Sequence, residues 1–112
     1  MEYRFESQGK SVGVVVLNGR LDLLSAASFK ESIQRAVADG WTRLVIDLEG
    51  VVFVDSSGLG ALIGGLKAAR VAGGDLRIAR PADQPKYILQ VSTLDRVLVA
   101  YPTIDDALAG YQ

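Results

Sequence analysis

The stretch Asp55-Ser56-Ser57-Gly58-Leu59-Gly60 places two serines and a carboxylate between an apolar run ending at Val54 and an amphipathic repeat beginning near Leu59. The run Val51 to Val54 suits a strand and the repeat after Gly60 is helical, so the spacing predicts Ser56 and Ser57 where a strand hands over to a helix. The free amides of a first helical turn, together with the helix dipole, draw oxygen and negative charge to that point. A serine there can cap the helix, help bind an anion, or carry a covalently attached phosphate. In the capping alternative one serine closes the helix end while Asp55 accepts a neighbouring amide, which leaves the other serine open to modification.

Which chemistry is available is narrowed by what is missing. The chain has no histidine and no cysteine, so it lacks the usual general base, the thiol nucleophile, the standard zinc ligands and the ordinary serine triad. A carboxylate-based hydrolase using Asp22 and Asp55 ranks last among the readings; the chain is expected to be no enzyme and to need no metal or cofactor. Its 12 basic and 13 acidic residues are interspersed for a net charge of −1, with no basic stripe to follow a phosphate backbone, so direct contact with nucleic acid is not expected. A length of 112 residues with 49% hydrophobic content predicts one domain spanning residues 1–112. Asp47, Glu49 and Asp55 interrupt the most apolar region, and no run approaches the ~20 residues of a membrane span. Met1-Glu2-Tyr3-Arg4 shows no signal-peptide pattern, and the absence of cysteine fits a reducing compartment, so the expected location is cytoplasmic.

Two phosphate-related motifs come close and fail. Gly58-Leu59-Gly60 resembles the start of a dinucleotide fingerprint, but its third glycine belongs at position 63, which is Ile63, and no acidic residue ends the following strand at Ala79 or Arg80. An aspartate closing a central strand also resembles the phosphate acceptor of receiver domains. Those domains need a pair of acids after the first strand and a lysine after the last; here Asp22 stands alone and Lys86 is the final lysine.

Elements that position the serines follow from hydrophobic period. Residues 3 to 7 and 12 to 18 read as two strands joined by the polar turn Gln8-Gly9-Lys10-Ser11, and Val14 to Leu17 form an apolar run suited to a strand covered on both faces. After the turn Gly19-Arg20-Leu21-Asp22, Ser25 is placed as an N-cap, with Leu24 and Phe29 as a hydrophobic staple and Phe29, Ile33, Ala36 and Val37 as the buried face of a helix reaching Gly40. The next strand runs from Arg43 through Leu48 and on to Val54, and the following helix closes at Gly73-Gly74. Further elements are a strand at 75–79, a short helix from Asp83 and Pro85, a strand at 97–101, and a last helix capped by Thr103 with Asp106, its stripe made of Ile104, Ala107, Leu108 and Tyr111. This order predicts an α/β fold: a mixed, mainly parallel five-stranded sheet with an N-terminal β-hairpin and about four helices.

Within the helix after Ser57, the expected core stripe is Leu59, Leu62, Ile63 and Leu66. On the other side Ala61, Gly65, Ala68 and Ala72 form a smooth strip beside Gly60 and Gly64. Three helical glycines cost about 2–3 kcal/mol relative to alanine, so something approaches that surface closely. It is either a neighbouring element of the same domain or a docking protein.

At Asp55-Ser56-Ser57-Gly58-Leu59-Gly60, together with Gly19-Arg20-Leu21-Asp22, the chain resembles the bacterial anti-sigma factor antagonists, small single-domain members of the STAS family. The resemblance covers nearly the whole length, including the opening hairpin, the Gly-x-Leu-Asp motif, the glycine pair at 73 and 74 and the final strand and helix. It implies the STAS-type fold and a protein that binds an anti-sigma factor and so releases a sigma factor. It further implies an anti-sigma partner with serine/threonine kinase activity that phosphorylates Ser56, and a metal-dependent serine phosphatase that resets it. Asp55, Ser57 and Gly58 would flank the phosphoacceptor, while Leu21, Asp22, Gly60, Ala61, Gly64, Gly65 and Ala68 would lie toward the partner, with the chain itself a monomer or weak dimer. Arg20 departs from the glutamate common in the Gly-x-Leu-Asp motif, and Pro81 to Pro85 makes the approach to the third helix richer in proline. The alternative is a scaffold of the same fold that is not phosphorylated, in a sensory complex or as a cytoplasmic subunit of a transporter, where Ser56 only caps the helix.

Overall fold

In the computed structural model, which describes residues 1–111, the hairpin of β1 (Glu2–Gly9) and β2 (Val12–Leu21) opens the chain. It is followed by α1 (Ala26–Ala38), β3 (Arg43–Val54), α2 (Ser56–Val71), β4 (Asp75–Ala79), α3 (Asp83–Val91), β5 (Ala100–Tyr101) and α4 (Ile104–Leu108). The strands lie side by side in chain order, antiparallel between β1 and β2 and parallel elsewhere. This is the mixed five-stranded sheet with four helices expected from the alternation of periods.

Two apolar layers explain why the middle of β2 is hydrophobic without a break. Val15 and Leu17 join Phe29 and Ile33 of α1, Leu62 and Leu66 of α2 and Leu89 of α3 on one side of the sheet. Val12 and Val14 join Val45, Ala107 of α4 and Tyr111 on the other. Alternate side chains of a strand point to opposite faces, so a strand covered on both has no position left for a polar residue. Ile104, Ala107 and Leu108 form the expected stripe of α4, whereas Tyr111 lies beyond the helix, which ends at Leu108, and reaches the same apolar layer from the turn that follows; Thr103 Oγ1 accepts from the Asp106 amide at 3.0 Å.

Several boundaries differ from the sequence reading, each for a local reason. Gly19, Arg20 and Leu21 are strand, not turn, because β3 runs on to Val54 and supplies partners as far as the Leu21–Val54 pair. The last strand shrinks to Ala100–Tyr101, since β4 stops at Ala79 and offers it only two residues; a 3-10 turn at Leu94–Arg96 precedes it. Leu24 does not staple α1, for its side chain is 93% exposed while Phe29 is buried. Ser25 stands at the N-cap position without capping: its hydroxyl accepts from the Asp22 amide and donates to the Arg20 carbonyl at 2.8 Å.

Among the described residues, one charged side chain is fully buried. Asp47, on the α4 side of β3, accepts from Arg80 Nη2 at 2.6 Å and Nε at 3.1 Å, and Arg80 also reaches Glu49 at 3.1 Å. Arg80 has a left-handed backbone (φ 52°) just past the end of β4. Nearby, the buried Tyr111 donates its hydroxyl to the Leu44 carbonyl at 3.0 Å, and the Arg77 guanidinium lies 4.0 Å from the ring centroid. Burial pushes the Tyr111 phenol far above its ordinary value of 10.0.

Both groups generate stability predictions. Arg80→Ala strands the Asp47 carboxylate, and because Arg80 is 36% exposed and water can replace part of the lost contact, the expected loss is about 1–3 kcal/mol by urea denaturation, below that of a fully buried pair. A phenol whose folded-state pKa is raised stabilises the fold fully below its unfolded value and loses that contribution as pH rises. Stability therefore falls as pH climbs above 10.0, and in Tyr111→Phe this alkaline loss is smaller.

Candidate functional site

The pairing of Leu21 with Val54 brings the ends of β2 and β3 together, and the chain leaves β3 through Asp55 in extended conformation (φ −106°, ψ −172°). Asp55 is itself the N-cap of α2. Its Oδ1 accepts from the Gly58 amide at 2.9 Å, and its Oδ2 accepts from the Leu23 amide at 3.1 Å, 32 residues away in sequence. One carboxylate thus caps the helix and ties the β2–α1 turn to it. Neither serine caps through its hydroxyl, contrary to the capping alternative. Ser56, the first residue of α2, is exposed and makes no side-chain hydrogen bond to the described residues, while Ser57 is half-buried.

The close fit of turn against helix requires glycine at 58. A Cβ there would run into the Leu21 carbonyl oxygen, the same oxygen that accepts the Asp55 amide at 3.3 Å. Asp22 organises the turn from the other side: its Oδ1 accepts from the Leu24 amide at 3.1 Å and its Oδ2 from Arg20 Nε at 3.3 Å. Desolvation pushes the Asp22 carboxyl up, but the Leu24 amide and the Arg20 guanidinium outweigh it and hold the group below its ordinary value. Arg20 also lies 4.3 Å from the Phe53 ring centroid. Leu23, Leu24 and Val52 point outward at 74%, 93% and 66% exposure, so the end of the molecule that carries Ser56 is apolar as well as acidic.

The residues assigned to a partner surface divide. Asp22 and Gly60 lie at the surface near this end, and beside Gly60 there is open space. Leu21 is fully buried beneath the helix start and offers no side chain to a partner. Ala61 and Gly65 also turn inward: a Cβ on Gly65 would sit 3.1 Å from Ile33 Cγ2 and 3.2 Å from Leu76 Cδ1. The small residues at these two positions therefore serve close packing of α2 on α1 and the sheet, and the core stripe rotates toward Ala61, Gly65 and Ala69, leaving Ile63 half-buried. Gly64 and Ala68 line a shallow groove between α1 and α2, with the Lys30 Cε 3.1 Å from where a Cβ of Gly64 would stand.

One positioning residue has no sequence signal. The Gln84 side-chain amide of α3 donates to the Val54 carbonyl at 3.0 Å and accepts from the Val54 amide at 2.8 Å. Because β4 ends at Ala79, opposite Asp47, this part of β3 has β2 on one edge and no strand on the other, and Gln84 supplies the missing rung there. Leu23-Leu24 did leave a signal, an apolar pair in a turn where polar residues are usual. Among the described residues, no three acidic side chains gather to hold a metal ion, and no helix is long and apolar enough to cross a membrane.

Comparison with known proteins agrees with this geometry. Residues 7–107 match the STAS domain family. The anti-sigma-F factor antagonist RsfB of Mycobacterium tuberculosis is 37% identical over 106 residues, covering 88% of this chain and 80% of that protein. The crystal structure of an anti-sigma factor antagonist from Mycobacterium paratuberculosis superposes with a TM-score of 0.81 at 31% identity, over 96% of this chain and 90% of the other. A sulfate transporter family protein from Wolinella succinogenes shares the fold, with a TM-score of 0.78 at 19% identity over 93% and 87% of the two chains. The chain belongs to the STAS domain family, within its anti-sigma factor antagonist group.

Proposed function

We propose that this protein binds an anti-sigma factor through the surface around the α2 N-terminus, so releasing a sigma factor in the cytoplasm, and that phosphorylation of Ser56 switches the binding off. The observation that carries this reading is the division of labour between neighbours. Asp55 does the capping, which leaves the Ser56 hydroxyl exposed and without a structural task. Leu23, Leu24 and Val52 supply exposed apolar surface for a protein partner. In the switching step the Ser56 oxygen bonds to the γ-phosphorus of ATP, the bond to the β-phosphate oxygen breaks, and ADP leaves as the hydroxyl loses its proton. The kinase is the anti-sigma factor itself, and a metal-dependent serine phosphatase hydrolyses the ester.

Magnitudes favour a switch at the interface over one inside the fold. The phosphate adds about −1.5 to −2 charges. At a helix N-terminus the dipole stabilises such a group by about 0.3–1 kcal/mol, so the folded chain tolerates it. Inside an interface the same group must lose water beside Asp55 and Asp22, and uncompensated burial of charge costs about 3–5 kcal/mol. At 1.4 kcal/mol per tenfold, the lower figure already weakens binding by more than about a hundredfold.

A second reading is supported by the fold shared with the Wolinella succinogenes protein: a scaffold or transporter-associated subunit whose Ser56 is never modified. The two are separated by incubating the chain with the kinase-type anti-sigma factor of its own host and ATP. The first predicts one added phosphate by intact mass, absent in Ser56→Ala; the scaffold reading predicts none. Ser56→Ala should bind the partner as the parent does, whereas Ser56→Glu should bind more weakly by about tenfold or more in calorimetry. Loss of the phosphate in Ser57→Ala, with Ser56→Ala still modified, would move the site by one residue.

A further inference from the structure

Among the described residues the outer edge of β1 is open, since the sheet order ends there and β1 pairs only with β2. An unpaired edge presents a row of amide and carbonyl groups, which proteins ordinarily blunt with proline, a bulge or a run of charge, lysine above all. Residues Tyr3 to Ser7 carry no proline and no lysine, their two charges, Arg4 and Glu6, are of opposite sign, and the one irregularity of the strand lies beyond them, between Ser7 and Gly9. On the α1 side of the strand, Tyr3 is 51% and Phe5 37% exposed, and with Arg35 and Trp41 they border a hollow of about 230 Å³ between β1 and α1. On the opposite face, Arg4 and Glu6 stand in one row, joined at 2.9 Å.

We propose that this edge pairs with the same edge of a second copy, the two β1 strands running antiparallel about a two-fold axis at Phe5. In that register Arg4 lies opposite Glu6 of the second copy and Glu6 opposite its Arg4, while Phe5 meets Phe5 and Tyr3 meets Ser7. A two-fold interface is isologous, so the strand must be complementary to itself. The row Glu2-Arg4-Glu6 gives both Arg4 and Glu6 an opposite charge only about Phe5: pairing about Arg4 or Glu6 sets that residue against itself, and pairing about Tyr3 matches Arg4 with Glu2 but leaves Glu6 unmatched. Opposite charges directly across an antiparallel pair stabilise it and like charges oppose it. The aromatic side chains half-exposed on the α1 side would be covered in the same step. β2 separates this edge from β3, so the pairing leaves the Ser56 end of β3 uncovered.

Charge reversal tests the register directly. Arg4→Glu and Glu6→Arg each place like charges opposite one another, and each should raise the dimer dissociation constant by about tenfold or more in sedimentation equilibrium. Mixed together, the two variants become complementary across the interface, so native mass spectrometry should show a heterodimer although neither variant self-associates. The internal Arg4–Glu6 contact cannot produce that rescue, because it is broken in both chains. In the parent protein, amide exchange across Tyr3 to Ser7 should slow as concentration rises, a readout that depends on neither variant folding. A parent chain that stays monomeric with concentration-independent exchange, or single variants that dimerise as tightly as the parent, would overturn the proposal.

Discussion

A single carboxylate serves two segments that are far apart in sequence. Through one oxygen Asp55 closes the first turn of α2, and through the other it holds the Leu23 amide of the β2–α1 turn. Removing it would free two amides at once, and loss of the helix cap alone costs about 0.5–2 kcal/mol. Everything placed around Ser56 depends on this bridge: the approach of the turn to the helix, the glycine required at 58 and the outward set of Leu23 and Leu24. The bridge also relieves the serines of capping. A hydroxyl that caps a helix cannot be modified without loosening the helix, whereas a hydroxyl one residue further in is free to be.

Support for the bridge comes from beneath α2 and from the free edge of β3. Beneath α2, Gly65 allows Ile33 and Leu76 to approach within van der Waals contact of the helix, which keeps α2 low on the sheet and its first turn level with the end of β2. Beside β3, the Gln84 amide replaces a strand that has already ended. The strand that delivers Asp55 is therefore held on one edge by β2 and on the other by one side chain.

Much of this arrangement is legible in the residues. The order of periods specifies the elements, the apolar run Val14 to Leu17 specifies a strand covered on two faces, and the aspartate–serine junction specifies where strand meets helix. What could not be read is tertiary in origin. Val51–Val54 extends β3 past the end of β4, and only the folded chain shows that Leu21 pairs with Val54 and is buried there, or that Gln84 fills the gap. Small residues on a helix mark close approach without saying by what. At Ala61 and Gly65 the neighbour is internal, while Gly64 and Ala68 reach a surface groove. The sequence leaves Asp55 either flanking a phosphoacceptor or accepting a neighbouring amide, because an acid and two adjacent serines are all competent caps, and spacing alone does not choose among them.

The most direct test of this account compares backbone amide NMR spectra of the chain with and without phosphate on Ser56. With Asp55 still bridging turn and helix, shift changes should stay within residues 20–25 and 52–60, and the amides of β4, β5 and α4 should keep their positions. Changes spread through the whole sheet would contradict it, for they would mean that the phosphate acts by rearranging the fold and not by altering the surface that a partner meets.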